Sequence, residues 1–141
     1  MGRVFVMIFI QQVLLASGVP AQVVVIAHKD VSVDKISKQQ LLDFYTGDDR
    51  KWDDGVPVIV LDLKEKNDTK KALYKYMGKS TSRMKSVWMK RMLAVEGDPP
   101  EAMESEEEML ARVASTPGSV GFVSQSKVTD DVKIIATIEE G

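Results

Sequence analysis

Hydrophobic and polar residues alternate in blocks along this chain, and these blocks predict strands and helices in turn. A continuous β-branched run over 23–27 is typical of a strand buried on both faces. Apolar runs predict further strands over 58–63, 119–124 and 132–138. The segments between these strands are long enough to hold helices.

Two helices are predicted in the first half of the chain. The first begins at Ser37, which can cap the amide of Gln40 while the Gln40 side chain reaches back, and it ends at Gly47. The second begins at 67–68 and ends at Gly78. The residues predicted to face the core are Leu41, Phe44 and Tyr45 in the first helix and Leu73, Tyr76 and Met77 in the second.

Two more helices are predicted before the third strand. One begins near Ser80, and the other follows a second capping box formed by Ser105 and Glu108. The segment 94–103 between them is predicted to be a loop, because it contains a glycine and two consecutive prolines. The residues predicted to face the core are Met84, Val87, Trp88 and Met92 in one helix and Leu110, Val113 and Ala114 in the other.

Alternating strands and helices predict an α/β fold with mostly right-handed crossovers. The chain shows no internal repeat and no linker, so we expect residues 22–141 to form a single domain. That length supports one hydrophobic core. The chain has no cysteine, so packing alone must stabilise this domain.

The first 21 residues have the pattern of an export signal. A short basic start at 1–3 precedes the apolar runs 4–10 and 13–16, and Val19-Pro20-Ala21 suits a cleavage site. We therefore expect a periplasmic mature protein that begins near Gln22 and has no transmembrane segment. A membrane anchor is the alternative, but two glutamines interrupt a stretch that is shorter than the ~20 residues needed to span a bilayer.

The composition argues against an enzyme and against a nucleic-acid binder. The net charge is −2, and the single histidine, His28, has no catalytic motif around it and is interpreted as a polar strand end. The carboxylates within 43–54 suit a solvated loop better than a calcium site, because their spacing matches no standard calcium loop. We expect no catalytic residue, no metal and no cofactor.

Charge is unevenly distributed along the second half of the chain. Ten basic residues and two acidic ones lie within 64–91, whereas seven acidic residues and no basic one lie within 96–108. Such runs usually mark solvated helix faces. The alternative interpretation is a basic surface for an anionic partner, such as a phosphate-bearing lipid, beside an acidic patch.

Four landmarks occur in an order that resembles a known family. They are Ile36–Gly47, Lys51–Gly55 with Trp52, Pro57–Leu61 and Pro117–Val123. In this order they resemble one lobe of the phosphate-binding proteins that serve ABC transporters, and more closely the short single-lobe relatives of those proteins. The resemblance implies one lobe of a periplasmic-binding-protein-like fold, with a central mixed, mostly parallel sheet flanked by helices. It also implies that Trp52 anchors its loop.

The same resemblance implies an anion site at the start of the second helix. In the transporter proteins an Arg-x-x-x-Ser-Gly-Thr segment opens that helix and holds phosphate. Here Leu63 stands at the arginine position, and Lys64 lies one residue from it. Asn67 and Asp68 stand at the serine and glycine positions, and Thr69 keeps the threonine. The candidate ligands are therefore Lys64, Asn67, Asp68 and Thr69. The alternative is that the last three residues only cap the helix.

Two functions remain open from the sequence. The first is an exported, non-catalytic binding module that takes inorganic phosphate or another oxyanion weakly, since one lobe alone cannot enclose a small anion. The second is an envelope interaction or assembly protein that uses the lobe as a scaffold. A protein partner or a homodimer suits either function, because a second subunit would supply the missing wall.

Overall fold

The computed structural model describes residues 22–64 and 67–138. The export signal expected over 1–21 lies outside these residues. The elements are β1 (Val23–His28), α1 (Lys38–Thr46), β2 (Ile59–Leu63), α2 (Asp68–Met77), α3 (Thr81–Leu93), β3 (Glu101–Met103), α4 (Glu106–Ser115), β4 (Ser119–Ser124), a 3-10 turn (Gln125–Lys127) and β5 (Val132–Ile138).

The strands form one mixed sheet in the order β3-β2-β4-β1-β5. β2 pairs in parallel with both β3 and β4, whereas β1 is antiparallel to both β4 and β5. Four of these strands therefore run in one direction and β1 runs in the other. The α/β class and the mixed, mostly parallel sheet are confirmed.

Strand β3 lies in the segment that was predicted to be a loop, so that prediction was wrong at its last three residues. Glu101 pairs with Leu61 and Met103 with Leu63, and the amide of Lys64 donates to the carbonyl of Met103 at 2.9 Å. Three residues are too few to show a strand periodicity. The pairing depends on β2, which is distant in sequence.

Helix starts follow the predicted capping signals closely. The side chains of Ser37, Asn67, Ser80 and Ser105 each accept a hydrogen bond from the amide three residues later. The reciprocal half of each capping box differs, however. Gln40 donates its side-chain amide to Asp53 instead, and Glu108 accepts from the amide of Glu104.

Both tryptophans are buried and both donate to a backbone carbonyl. Trp88 bonds to Tyr45 at 3.0 Å, which confirms its predicted place inside. Trp52 bonds to Gly118 at 2.9 Å and packs edge-on against Phe44, with 4.9 Å between ring centres. Trp52 thus fastens the loop before β2 to the turn before β4.

Several other predicted core positions were shifted around their helices. Met92 was predicted to face the core but is 41% exposed. The side of α3 that packs inward runs through Met84, Trp88 and Arg91. Met92 lies about 80° around the helix from Met84 and therefore points away from that side. Val87 is half-buried for the same reason. In α2 the buried tyrosine is Tyr74, whereas Tyr76 is half-buried. In α4 the predicted Val113 is buried together with Met109, whereas Leu110 and Ala114 are half-buried.

Candidate binding site at the carboxyl edge of the sheet

The parallel strands β2, β3 and β4 end at one edge of the sheet, and helices α2 and α4 begin there. In open α/β sheets, ligands bind outside the carboxyl ends of the strands. The predicted residues Lys64, Asn67, Asp68 and Thr69 all lie at this edge, between β2 and the first turn of α2. We call it the carboxyl edge, and it comprises Lys64, Asn67–Thr69, Glu104–Glu108, Ser124 and Lys127.

A buried carboxylate lies at the centre of the carboxyl edge. Glu106, the first residue of α4, is only 9% exposed, and its two oxygens contact different elements. One oxygen accepts from the backbone amide of Ser124 at 2.5 Å, and the other accepts from the hydroxyl of Thr69 at 3.3 Å. The hydroxyl of Ser124 lies 3.2 Å from that of Thr69 and completes the chain of hydrogen bonds. The donors that would suit an oxyanion are therefore engaged by the protein itself.

Lys127 adds a positive charge to this cluster. Its ammonium lies 3.8 Å from Glu106 and 3.0 Å from Glu107. The hydrogen bond to Glu107 raises the pKa of Lys127, and the same contact lowers the pKa of Glu107. The lysine charge is thus shared between two carboxylates of α4.

Two of the other predicted residues, Lys64 and Asn67, also have partners within the chain. The side chain of Asn67 accepts from the amide of Lys70 at 2.9 Å, which is the helix-cap role. Asp68 is exposed in the first turn of α2, and Lys64 forms an exposed ion pair with Glu104 at 3.0 Å. The structure therefore brings the four residues to one edge, but only Thr69 contacts the buried carboxylate.

Electrostatics at the carboxyl edge oppose a free anion. The first turn of α4 carries three consecutive acidic residues, 106–108, which complement the positive end of its own helix dipole. Asp68 does the same for α2. Among the described residues of the carboxyl edge, these carboxylates outnumber the two lysines, Lys64 and Lys127.

Sequence reasoning missed Glu106, Ser124 and Lys127 as members of this site. Glu106 and Thr69 are 37 residues apart in sequence, so no local pattern joins them. The capping box at Ser105 was the available signal, because it predicted that α4 would begin with Glu106 in its first turn. It did not show that this carboxylate turns inward.

A second polar cluster lies beneath an open groove beside α3. The carboxylate of Asp62 accepts from the hydroxyl of Tyr74 and from the amide of Leu63, and the ammonium of Lys70 lies 3.7 Å away. Burial, together with the nearby Asp62 charge, raises the pKa values of Tyr74 and Tyr45. Each of these polar groups has a hydrogen-bond or ion-pair partner within the chain. The cluster therefore forms a polar floor to the groove in which these groups are already paired.

The single histidine has a structural role at the end of β1. The Nδ1 atom of His28 accepts from the backbone amide of Asp30 at 3.0 Å. Among the described residues, no group of three or more histidine, aspartate or glutamate side chains is placed to hold a metal ion.

Solved structures identify the fold. A protein from Clostridium perfringens, assigned as a phosphate ABC transporter substrate-binding protein and solved with bound phosphate, matches at a TM-score of 0.67 and 19% identity. The match covers 82% of this chain and 44% of that protein. The fold is one lobe of a periplasmic-binding-protein-like fold. No protein-family model matches the sequence, and no curated protein matches it significantly.

Two further structures share this lobe. An ABC-type phosphate transport receptor from Vibrio cholerae matches at a TM-score of 0.66 and 18% identity, over 82% of this chain and 45% of that one. PstS from Borrelia burgdorferi matches at 0.62 and 11% identity, over 82% and 47%. The chain thus spans less than half the length of these proteins. Over the residues that the structure covers, no helix is both long and apolar enough to cross a membrane.

Proposed function

We propose that this chain is an exported, non-catalytic binding module in which a single lobe presents an interaction surface, and in which free oxyanions bind weakly at most. One observation carries the proposal. The hydroxyl of Thr69, the one residue that keeps the phosphate-binding pattern, donates to the chain's own Glu106 at 3.3 Å. An incoming anion must displace this carboxylate or bind beside it.

The open shape of the lobe supports the same conclusion. Small-molecule sites that bind tightly bury most of the ligand surface in a cleft. The match covers 44% of the phosphate-bound protein from Clostridium perfringens, so this lobe alone presents an open face to which a second wall would have to be added. A partner that docks on the lobe is the natural source of such a wall.

Calorimetric titration with phosphate and with sulfate tests this proposal. Each good charge-assisted contact is worth about 1.5–3 kcal/mol, so the missing arginine alone weakens binding about ten-fold or more. We expect millimolar or undetectable affinity. Asp68→Gly removes a negative charge and should strengthen any binding, Thr69→Ala should weaken it, and Asp130→Gly is the matched control at an exposed acidic residue. Micromolar binding of phosphate to a monomer would contradict the proposal.

A second candidate function is an oxyanion receptor that a partner subunit completes. The favouring observation is that two donors, the amide of Ser124 and the hydroxyl of Thr69, converge on the two oxygens of one carboxylate. Such a pair could serve a phosphate if Glu106 withdrew. A phosphate affinity that appears only when a partner is present would favour this receptor over the interaction module.

Export is tested separately. N-terminal sequencing of the protein recovered from the periplasm should find Gln22 or a close neighbour at the start, because the cleavage pattern ends at Ala21. A soluble cytoplasmic product that retains Met1 would refute export while leaving the binding proposal intact.

A further inference from the structure

Exposed apolar side chains are concentrated at the end of α3. Leu93 is 78% exposed and Val95 91%, and Met89 and Met92 are also exposed. These four are the majority of the seven large apolar residues that are exposed in the described part of the chain. We call Met89, Met92, Leu93 and Val95 the α3 tip. Large apolar patches on soluble proteins commonly mark binding surfaces.

The α3 tip ends in an ordered turn rather than a frayed helix end. The amide of Val95 donates to Met92 at 3.1 Å, and the amide of Glu96 donates to Arg91 at 2.7 Å, which together form a Schellman motif. Arg91 in turn donates to the carbonyl of Thr46 at 2.7 Å. The tip is therefore held at a defined place on α1.

The turn places an unfavourable residue at its key position. Val95 has a φ of 56°, a left-handed conformation that suits glycine and strains a β-branched residue. An almost fully exposed valine makes no packing contact that would offset this strain in the monomer. Such strain often persists at functional positions.

An apolar groove lies directly beside the tip. It has a volume of about 260 Å³, and Met89 and Met92 form part of its wall. The remaining apolar lining is provided by Met84, Trp88, Pro99, Pro100 and Ala102. A projecting apolar tip next to an apolar groove is self-complementary under a two-fold axis, where each copy can insert its tip into the groove of the other.

The charges around α3 favour the antiparallel arrangement of two such helices. The start of the helix carries Arg83 and Lys85 and follows Lys79, with no acidic residue among them. Its last turn carries Lys90 and Arg91, and the turn after it carries Glu96, which pairs with Arg91, and Asp98. An antiparallel pair brings the basic start of one helix to Glu96 and Asp98 of the other, where Asp98 can oppose Arg83. A parallel pair would place the two basic starts together.

We infer that the α3 tip and its groove form a two-fold interface between copies of this chain. The interface uses none of the residues of the carboxyl edge, so an experiment can refute it without refuting the proposed function.

Analytical ultracentrifugation over a range of concentrations tests the interface. We expect a monomer–dimer equilibrium for the wild-type protein, and a rise of about ten-fold or more in the dissociation constant for Leu93→Asp. Val56→Asp is the matched control, because Val56 is also exposed at 45% but lies beside Gly118 and does not line the groove. It should leave the dimer unchanged.

A charge exchange tests the antiparallel geometry. Arg83→Glu and Asp98→Lys should each weaken self-association, whereas an equal mixture of the two variants should form a heterodimer in which both opposed pairs are again of opposite sign. Failure of the mixture to associate would rule out the antiparallel pair. A wild-type chain that stays monomeric at about 0.2 mM, or one that instead binds vesicles of anionic phospholipid through Leu93, would overturn the inference.

Discussion

The carboxyl edge and the α3 tip differ in whether their interacting groups already have partners within the chain. At the edge, a carboxylate of the chain itself satisfies the donors that a ligand would use, and Glu106 is nearly buried. At the tip, apolar side chains stay in solvent, and Val95 keeps a strained conformation while 91% exposed. The edge is closed within one molecule, whereas the tip lacks a partner within the described residues. We therefore expect a partner to bind at the tip more readily than a free anion binds at the edge.

The first prediction concerns the support of the tip and has the largest expected effect. Trp88→Ala should lower the free energy of unfolding by about 3–5 kcal/mol, the usual loss for a large buried aromatic residue. It should also weaken self-association, because Trp88 joins α3 to the carbonyl of Tyr45. Chemical denaturation measures the loss, and Met89→Ala, one position further and exposed, should change stability by no more than about 0.5 kcal/mol. A loss below about 1 kcal/mol for Trp88→Ala would contradict the packing of α3.

The second prediction removes the carboxylate that occupies the hydrogen-bond donors of the carboxyl edge. Glu106→Ala leaves the amide of Ser124 and the hydroxyl of Thr69 without their acceptor, so it should cost about 1–3 kcal/mol. Glu106→Gln keeps an acceptor oxygen and should cost less, while removing the negative charge. Denaturation and phosphate titration of both variants test the closure.

A control for that experiment lies next to Glu106 in sequence. Glu107 is exposed and pairs with Lys127 on the surface, where solvent screens the pair, so Glu107→Gln should leave stability almost unchanged. If Glu106→Gln folds and binds phosphate no better than Glu107→Gln does, the carboxylate does not block an anion position.

The third prediction uses pH to probe the polar floor under the groove. Burial and the Asp62 charge raise the pKa of Tyr74 above its usual value near 10. Above about pH 10 the unfolded chain therefore loses this phenolic proton before the folded chain does, and stability falls as the pH rises. One phenol contributes at most about 1.4 kcal/mol per pH unit. Tyr74→Phe should flatten part of the decline seen in thermal melts, while Tyr45, whose pKa burial also raises, contributes to what remains.

The fourth prediction separates stability from association at the tip. Val95→Gly relieves a left-handed conformation that costs an ordinary residue about 1–2 kcal/mol, so it should stabilise the monomer while weakening the dimer. Ala94→Gly is the opposite control, because Ala94 has a negative φ and glycine there adds only backbone entropy to the unfolded chain. Equal effects of the two substitutions would remove the case for strain at Val95.

Local signals predicted the helix starts well and the helix faces less well. The caps at Ser37 and Asn67 depend on three or four neighbouring residues, so the sequence contains their full cause. Met92 was misplaced because its helix rests on α1 through Trp88 and Arg91, a contact between residues more than 40 positions apart. Strand β3 was missed because its pairing with β2 defines it.

The sequence by itself determined the α/β class, the order of the helices and most strands, and the likeness to one lobe of a phosphate-binding protein. Hydrophobic periodicity and capping determined the class and the elements, because both are encoded by residues close together in the chain. The likeness came from the order of the landmarks in the sequence. Only the tertiary structure decided that Glu106 reaches Thr69, and that the α3 tip stays exposed beside a groove. Both outcomes depend on where elements distant in sequence meet. A carboxylate is buried only where donors from other elements surround it. An apolar side chain stays exposed only where no other element covers it.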